Sequence, residues 1–360
     1  MRTASAGGAF DSAEMRLNMS ENTTAFEGIE LFENTFKHQI QSDGEIKRQP
    51  NMFTKRFGNG PEEWPVVPNR YRLIWMPGCP HAHKVVITRK LLGLDKVISL
   101  GTTGILRSKI GWVFSEDPGE VDPVLKIHYL HDIYTREVPD FTGRSTVPII
   151  TDPETGKGVN NDHFWIPIYL NTDWKEYHKK NAPDLYPVKL RKDIDQLNTF
   201  IYERINEGVY KCGFARSQEA YNLGYERFFE AMDFLDKHLE NRRFLFGDYI
   251  TDSDVRLYPT LARFQVTYYQ VFRANRTRLE EFKNLWPYAR DLYQTEGFGE
   301  TTYFDLIKKH YQLSPHLRPL WGNIHGIYAK GPDISGWELP HGREELSKHG
   351  DEKFLTVKQG

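Results

Sequence analysis

Cysteine is scarce in this 360-residue chain: Cys79 and Cys212 are the only two. Two thiols make no disulfide framework, which points to a reducing compartment. No apolar run reaches the ~18 residues that a membrane-spanning helix needs. The opening stretch, MRTASAGGAFDSAEMRLNMSENTT, lacks the apolar core of an export signal. A polar tail, a cytoplasmic location and no membrane partner are therefore expected. Asn22-Thr23-Thr24 and Asn275-Arg276-Thr277 fit the glycosylation pattern, but without an export signal they carry no weight. Net charge is only −2, so no global field draws the chain to nucleic acid or anionic lipid. There is no internal repeat.

Aromatic residues are abundant, with 22 Phe, 19 Tyr and 8 Trp. Most of such a set packs helices together, and part of it is available to line a site for a flat ligand.

The length suits about two domains. Residues 1–67 show little periodicity and end in EEWPVVPNR, which reads as an irregular extension. Order starts with the strand Tyr71–Met76, followed by the turn Pro77-Gly78. Pro80 suits a first helical position, and Gly93 suits that helix's C-terminal stop. Val97-Ile98-Ser99 reads as a second strand. Residues 100–142 read as an insertion punctuated by Gly and Pro. Thr146–Thr151 reads as a strand and Gly158–Asn160 as its hairpin partner. Residues 161–171 then read as helix, with Pro167 as a kink inside it costing about 3 kcal/mol. Residues 68–174 thus form a small α/β domain.

After a linker near 172–184 the period changes. Leu190, Ile194, Leu197, Ile201 and Ile205 lie on one helix face that ends at Gly208. Tyr221, Tyr225, Phe228, Met232, Leu235 and Leu239 lie on another. Thr251 with Asp254 forms a capping box before a third helix. Residues 184–330 read as an all-helical domain, and 331–360 as a polar surface wrap.

Three elements carry chemistry. Cys79 sits where a helix begins, facing unpaired N–H groups and the positive end of the dipole, and both favour thiolate over thiol. Position 82 is Ala, so no second cysteine can resolve a mixed disulfide within the motif, and an outside thiol must complete any cycle. An inert buried cysteine is the plain alternative. Thr146-Val147-Pro148 suits a cis peptide whose backbone meets an extended ligand, or else an ordinary strand start. Asn160-Asn161-Asp162-His163 suits anion binding at a helix start, or else simple capping. No metal is expected: Cys79 and His83 share a helix face, His81 points away from it, and no second ligand cluster accompanies them. Cys212 reads as a small buried hydrophobe.

These blocks resemble the glutathionyl-hydroquinone reductases, the Xi class of glutathione transferases, from about Tyr71 to about Pro332. The resemblance rests on Cys79-Pro80 with Ala82-His83, Phe141–Pro148, Val159-Asn160-Asn161, Asp184–Pro187, Asn206–Ala215, Arg256–Phe264, Asn284–Gln294 and Ile307–Tyr311. It implies a thioredoxin-like domain, a helical domain and a homodimer. It also implies attack by Cys79 on a glutathionyl-hydroquinone, with glutathione as co-substrate. His81, Lys84, Val147, Pro148, Asp162 and His163 would hold the thiol ligand. Tyr210, Trp112 and Tyr268 would line the aromatic pocket. The chain departs from the family at His81, usually Trp; at Lys84, usually Arg; and at Asp162-His163, usually Glu-Ser. Glutathione held by altered contacts and a different small thiol both remain open. So do two other activities on the same scaffold, a thiol transferase or dehalogenase and a catalytically idle binding protein.

Overall fold

The computed structural model describes residues 25–356. The polar N-terminal stretch with Asn22, and the last four residues, lie outside the described residues. The α/β part runs β1 (Tyr71–Trp75), α2 (Pro80–Leu91), β2 (Ile98–Thr102), α3 (His131–Glu137), β3 (Ile149–Asp152), β4 (Lys157–Asn160) and α4 (Ile166–Thr172), preceded by α1 (Ala25–Phe36). The sheet order is β2-β1-β3-β4. β1 and β2 are parallel, whereas β1–β3 and β3–β4 are antiparallel. This is the expected thioredoxin-like unit. β1 is buried along its whole length, as a central strand with both faces covered must be.

Helix α2 is the seam of the molecule. Pro80 opens it and every residue except Lys90 is buried. Its apolar residues form no single stripe, because α4 and α8 (Asp252–Arg263) enclose the faces that the sheet leaves open. It stops as expected at Gly93, whose φ of +74° is left-handed.

The helical part adds α5 (Arg191–Phe200), α6 (Gly208–Phe214), α7 (Gln218–His238), α8, α9 (Tyr269–Val271), α10 (Leu285–Tyr293) and α11 (Phe304–Leu313). The Thr251–Asp254 capping box is present, with the Thr251 N–H donating to Asp254 Oδ2 at 2.8 Å.

Four expectations need correction. The extension is not merely irregular: it carries α1, its Phe53 and Phe57 enter the core, and Thr54 pairs with Asn160 at the end of β4. Burying two phenylalanines contributes about 1.5–3 kcal/mol each. The insertion is shorter than 100–142, because β2 reaches Thr102 and α3 belongs to the sheet's own βα alternation. Helix α4 starts at Ile166, which places Pro167 in its first turn, where a missing N–H costs nothing. Gly208 opens α6 instead of ending the previous helix, since a π-helical stretch, Ile201–Asn206, joins α5 to it. The tail from 331 does wrap the helical part, and it buries Trp337 and Arg343 there.

Candidate active site

The geometry starts at the turn before α2. Gly78 lies so close to His310 that a Cβ there would sit 2.9 Å from the His310 side chain. Arg263, fully buried on α8, donates from Nη2 to Pro77 O at 2.7 Å and from Nε to Gly78 O at 2.9 Å. The helical part therefore fixes the turn that aims Cys79. Cys79 is the N-cap of α2, with extended backbone and no side-chain cap. Its Sγ is partly exposed and donates to Val147 O at 3.5 Å. The Val147–Pro148 peptide is cis.

The thiol opens into a cavity of about 240 Å³. Cys79, His81, Trp112, Val147, His163 and Tyr210, all expected at the site, line it. Four other expected residues do not. Lys84 is buried behind α2, with Nζ 3.4 Å from His163 Nδ1. Burial, then the Arg256 charge, pushes its ammonium down to about 7. Asp162 points its carboxylate into its own turn, where Oδ1 accepts the N–H groups of Phe164 (3.1 Å) and Trp165 (3.4 Å). The helix expected from Asn161 is replaced by this turn, and Asx chemistry occupies one oxygen of the acid. Pro148 is buried within the cis turn and does not line the cavity. Tyr268 is fully buried and reaches the site only through Tyr311, whose hydroxyl is 3.1 Å away.

The floor of the cavity is a stack of imidazoles. His81 and His163 lie with ring centroids 4.2 Å apart. His81 Nε2 is 2.9 Å from Glu207 Oε1, although off a hydrogen-bonding direction. Burial pushes His81 down to about 4 against the pull of Glu207, so it is neutral at pH 7. Burial also holds His163 well below the usual imidazole range. Glu207 in turn accepts from Arg48 Nε at 2.6 Å. Burial would raise its carboxyl, but Arg48 and then His81 outweigh that and hold it at about 2.

The aromatic wall holds Trp112, Tyr210 and Tyr311. The Tyr210 and Tyr311 hydroxyls are 2.6 Å apart. Three arginines also line the cavity: Arg48, Arg107 and Arg144. Gln49 of the extension donates to Arg144 O at 2.8 Å and accepts the Arg144 N–H at 3.0 Å. Sequence reasoning missed Arg48, Gln49, Arg107, Arg144, Glu207, Arg263, His310 and Tyr311 as site residues. The last four, with Arg144, lie in blocks that carried the resemblance, and Arg107 lies in the insertion. Arg48 and Gln49 lie in a stretch without periodicity and gave no signal.

Cys212, by contrast, is fully buried in α6, and burial pushes its thiol up to about 12. His83 contacts Thr301 Oγ1 at 3.0 Å and Arg263 Nη1 at 3.1 Å. Among the described residues no group of three or more His, Cys, Asp or Glu is placed to hold a metal, and no helix is long and apolar enough to cross a membrane.

A thiol at a helix N-terminus, beside a free-standing carbonyl turn and an aromatic, cationic cavity, is arranged for exchange with the sulfur of a bound ligand. Comparison with known proteins agrees. Residues 218–291 match the glutathione S-transferase C-terminal domain. The chain is 37% identical over 278 residues to the glutathionyl-hydroquinone reductase YqjG of Escherichia coli, covering 77% of this chain and 83% of that protein. The glutathione-bound structure of YqjG aligns with a TM-score of 0.71 over 77% of this chain and 89% of its own, at 36% identity. A glutathione transferase from Gordonia bronchialis aligns at 0.80, with 45% identity and coverage of 85% and 93%. A Xi-class transferase from Natrialba magadii aligns at 0.76, with 37% identity and coverage of 82% and 89%.

Proposed function

The chain belongs to the glutathionyl-hydroquinone reductases, the Xi class of glutathione transferases, and on that premise we propose that Cys79 is the nucleophile of a two-step thiol exchange. The protein is a glutathione-dependent reductase of glutathionyl conjugates. In the first step the Cys79 thiolate attacks the sulfur of a glutathionyl-hydroquinone. The S–S bond forms as the carbon–sulfur bond breaks. The bonding pair goes to the ring carbon, which takes a proton, and the hydroquinone leaves. In the second step a glutathione thiolate attacks the Cys79 mixed disulfide. It leaves as glutathione disulfide and returns the Cys79 thiolate.

The observation that carries this reading is the placement of a lone thiol. Cys79 opens into the cavity beside Val147, and Cys212 is sealed in α6. The glutathione-bound relative supports glutathione as the thiol. In this reading Val147 holds the thiol's backbone, and the His81–His163 stack forms the floor beneath it. Trp112, Tyr210 and Tyr311 surround the ring. A tyrosine hydroxyl of the Tyr210–Tyr311 pair is placed to give the ring its proton. The same reading includes a cytoplasmic homodimer, which sedimentation and cell fractionation test.

Intact mass after reaction with one equivalent of the conjugate, with no free glutathione present, should show Cys79 carrying one glutathione. Cys79→Ser should keep the melting temperature and lose at least about 10³-fold in turnover. Substantial residual turnover in that variant would point to conjugation, with the small thiol as nucleophile.

A further inference from the structure

The cavity holds more positive charge than the protein neutralises. Among the described residues no Asp or Glu lines it. The Glu207 carboxylate, beside His81, is already paired with Arg48. Arg107 is only 7% exposed. Its guanidinium lies over the Trp112 ring at 5.2 Å. Its one side-chain hydrogen bond among the described residues runs from Nη1 to Ser145 O at 3.4 Å. Arg144 lies over the Phe36 ring at 4.8 Å. Its side chain makes no hydrogen bond or ion pair among the described residues, and its Nε is buried without a partner. A buried charge without a counterion is costly, and forked guanidiniums match a carboxylate in shape. The two guanidiniums lie over aromatic rings that line the same cavity, Trp112 of the insertion and Phe36 of the extension.

We propose that Arg107 and Arg144 form an anion subsite for the aromatic half of the substrate, which carries a ring carboxylate or an equivalent permanently ionised group. The proposal rests on the reading that Cys79 releases an aromatic leaving group, and it adds the class of that group. Burial, reinforced for Arg144 by Arg48 and Arg107, pushes the Arg144 guanidinium down to about 9, and burial pushes Arg107 down to about 10. Both remain cations at pH 7, and both gain from an incoming anion.

The shared chemistry, a carboxylate, could also come from glutathione itself, so the test separates the two sources. Calorimetry on the full chain at pH 7 compares 2,5-dihydroxybenzoate with plain hydroquinone, with and without saturating glutathione. The carboxylated ring should bind at least tenfold tighter in both conditions. Arg107→Gln and Arg144→Gln should each shrink that ratio to threefold or less. Equal affinities in the wild type would overturn the proposal, as would no detectable binding of either ring. So would a preference that vanishes once glutathione is bound, because the thiol's own carboxylate would then hold the arginines. The wild-type comparison decides even if a variant does not fold. Failure of the reductase reading would show separately, as absence of the Cys79–glutathione adduct.

Discussion

At Lys84, charge and burial conflict. The side chain is 2% exposed, and burial brings its ammonium down to about 7 from an ordinary 10.5. Below pH 7 the folded state must keep a charge in a poorly hydrated place. Between about 7 and 10.5 the unfolded chain binds more protons than the folded one, so stability rises with pH across that window. The penalty at low pH is of the order of a few kcal/mol. Lys84→Met should therefore melt higher than wild type at pH 6, and the gain should shrink by pH 9.5; a gain independent of pH would show that packing, and not the charge, sets it. His81 adds the same sign at lower pH. Its folded value of about 4 lies below the ordinary 6.5, so it costs stability as pH falls from 6.5 to 4. Cys212 makes a simpler case. Its sealed thiol should resist alkylation in the native protein, and Cys212→Ala should keep full turnover while losing about 1 kcal/mol in urea melts. A large loss of turnover at native stability would assign Cys212 a chemical part. The placements of Cys79, Val147 and Cys212 were legible because they follow from adjacent residues: Pro80, Pro148 and the Gly-flanked apolar run. Tyr268 and Tyr311 were not separable, since both lie in helical stretches and only packing decides which one faces the cavity.

Among the elements, α4 shows how a correct residue-level rule can fail on a boundary. Proline does break helix interiors, but Asp162 closes a turn that delays the helix to Ile166. Pro167 then falls in the first turn, where its fixed φ helps. Pro167→Ala should thus cost stability slightly, about 0.4–1 kcal/mol, by freeing the unfolded chain. A gain of several kcal/mol in chemical denaturation would mean that the proline strains the helix after all. The stretch from Leu190 to Ile205 fails in a different way. Its final spacings of 4 and 4 run longer than the 3.6-residue α-helical period. The chain meets them with a π-helical stretch that keeps Ile201 and Ile205 fully buried. The apolar face was legible, while the change of helix type was not, because a one-residue slip leaves the pattern almost unchanged. The strands were read to within a few residues, since Tyr71–Trp75 and Ile149–Asp152 are short apolar runs bounded by turn chemistry.

Across the whole molecule, the site is a meeting point of segments distant in sequence, and Arg48–Glu207 measures how firmly two of them are joined. Arg48 comes from the extension, and Glu207 from the junction before α6. They meet at 2.6 Å with side chains 20% and 11% exposed. No sequence pattern marks such a pair 159 residues apart, which is why the extension read as merely irregular. Removing Arg48 leaves a nearly buried carboxylate beside a neutral imidazole. Breaking a buried pair from one side costs about 3–5 kcal/mol, so Arg48→Met should be strongly destabilising. Glu207→Gln alone should also destabilise, because Arg48 then lacks its acid. The double variant should lose clearly less than the sum of the two, with a coupling of about 1–3 kcal/mol in urea unfolding at pH 7. The pH dependence follows from the carboxyl's position. Glu207 is held at about 2 against an ordinary 4.5, so its contribution is complete above 4.5 and is lost as pH falls from 4.5 towards 2. The coupling measured at pH 3 should accordingly be smaller than at pH 7. Additive losses at pH 7 would mean that the extension is held by its other contacts, Phe53, Phe57, the Thr54–Asn160 pairing and the Gln49–Arg144 bonds among them, with the ion pair a bystander at the cavity's edge.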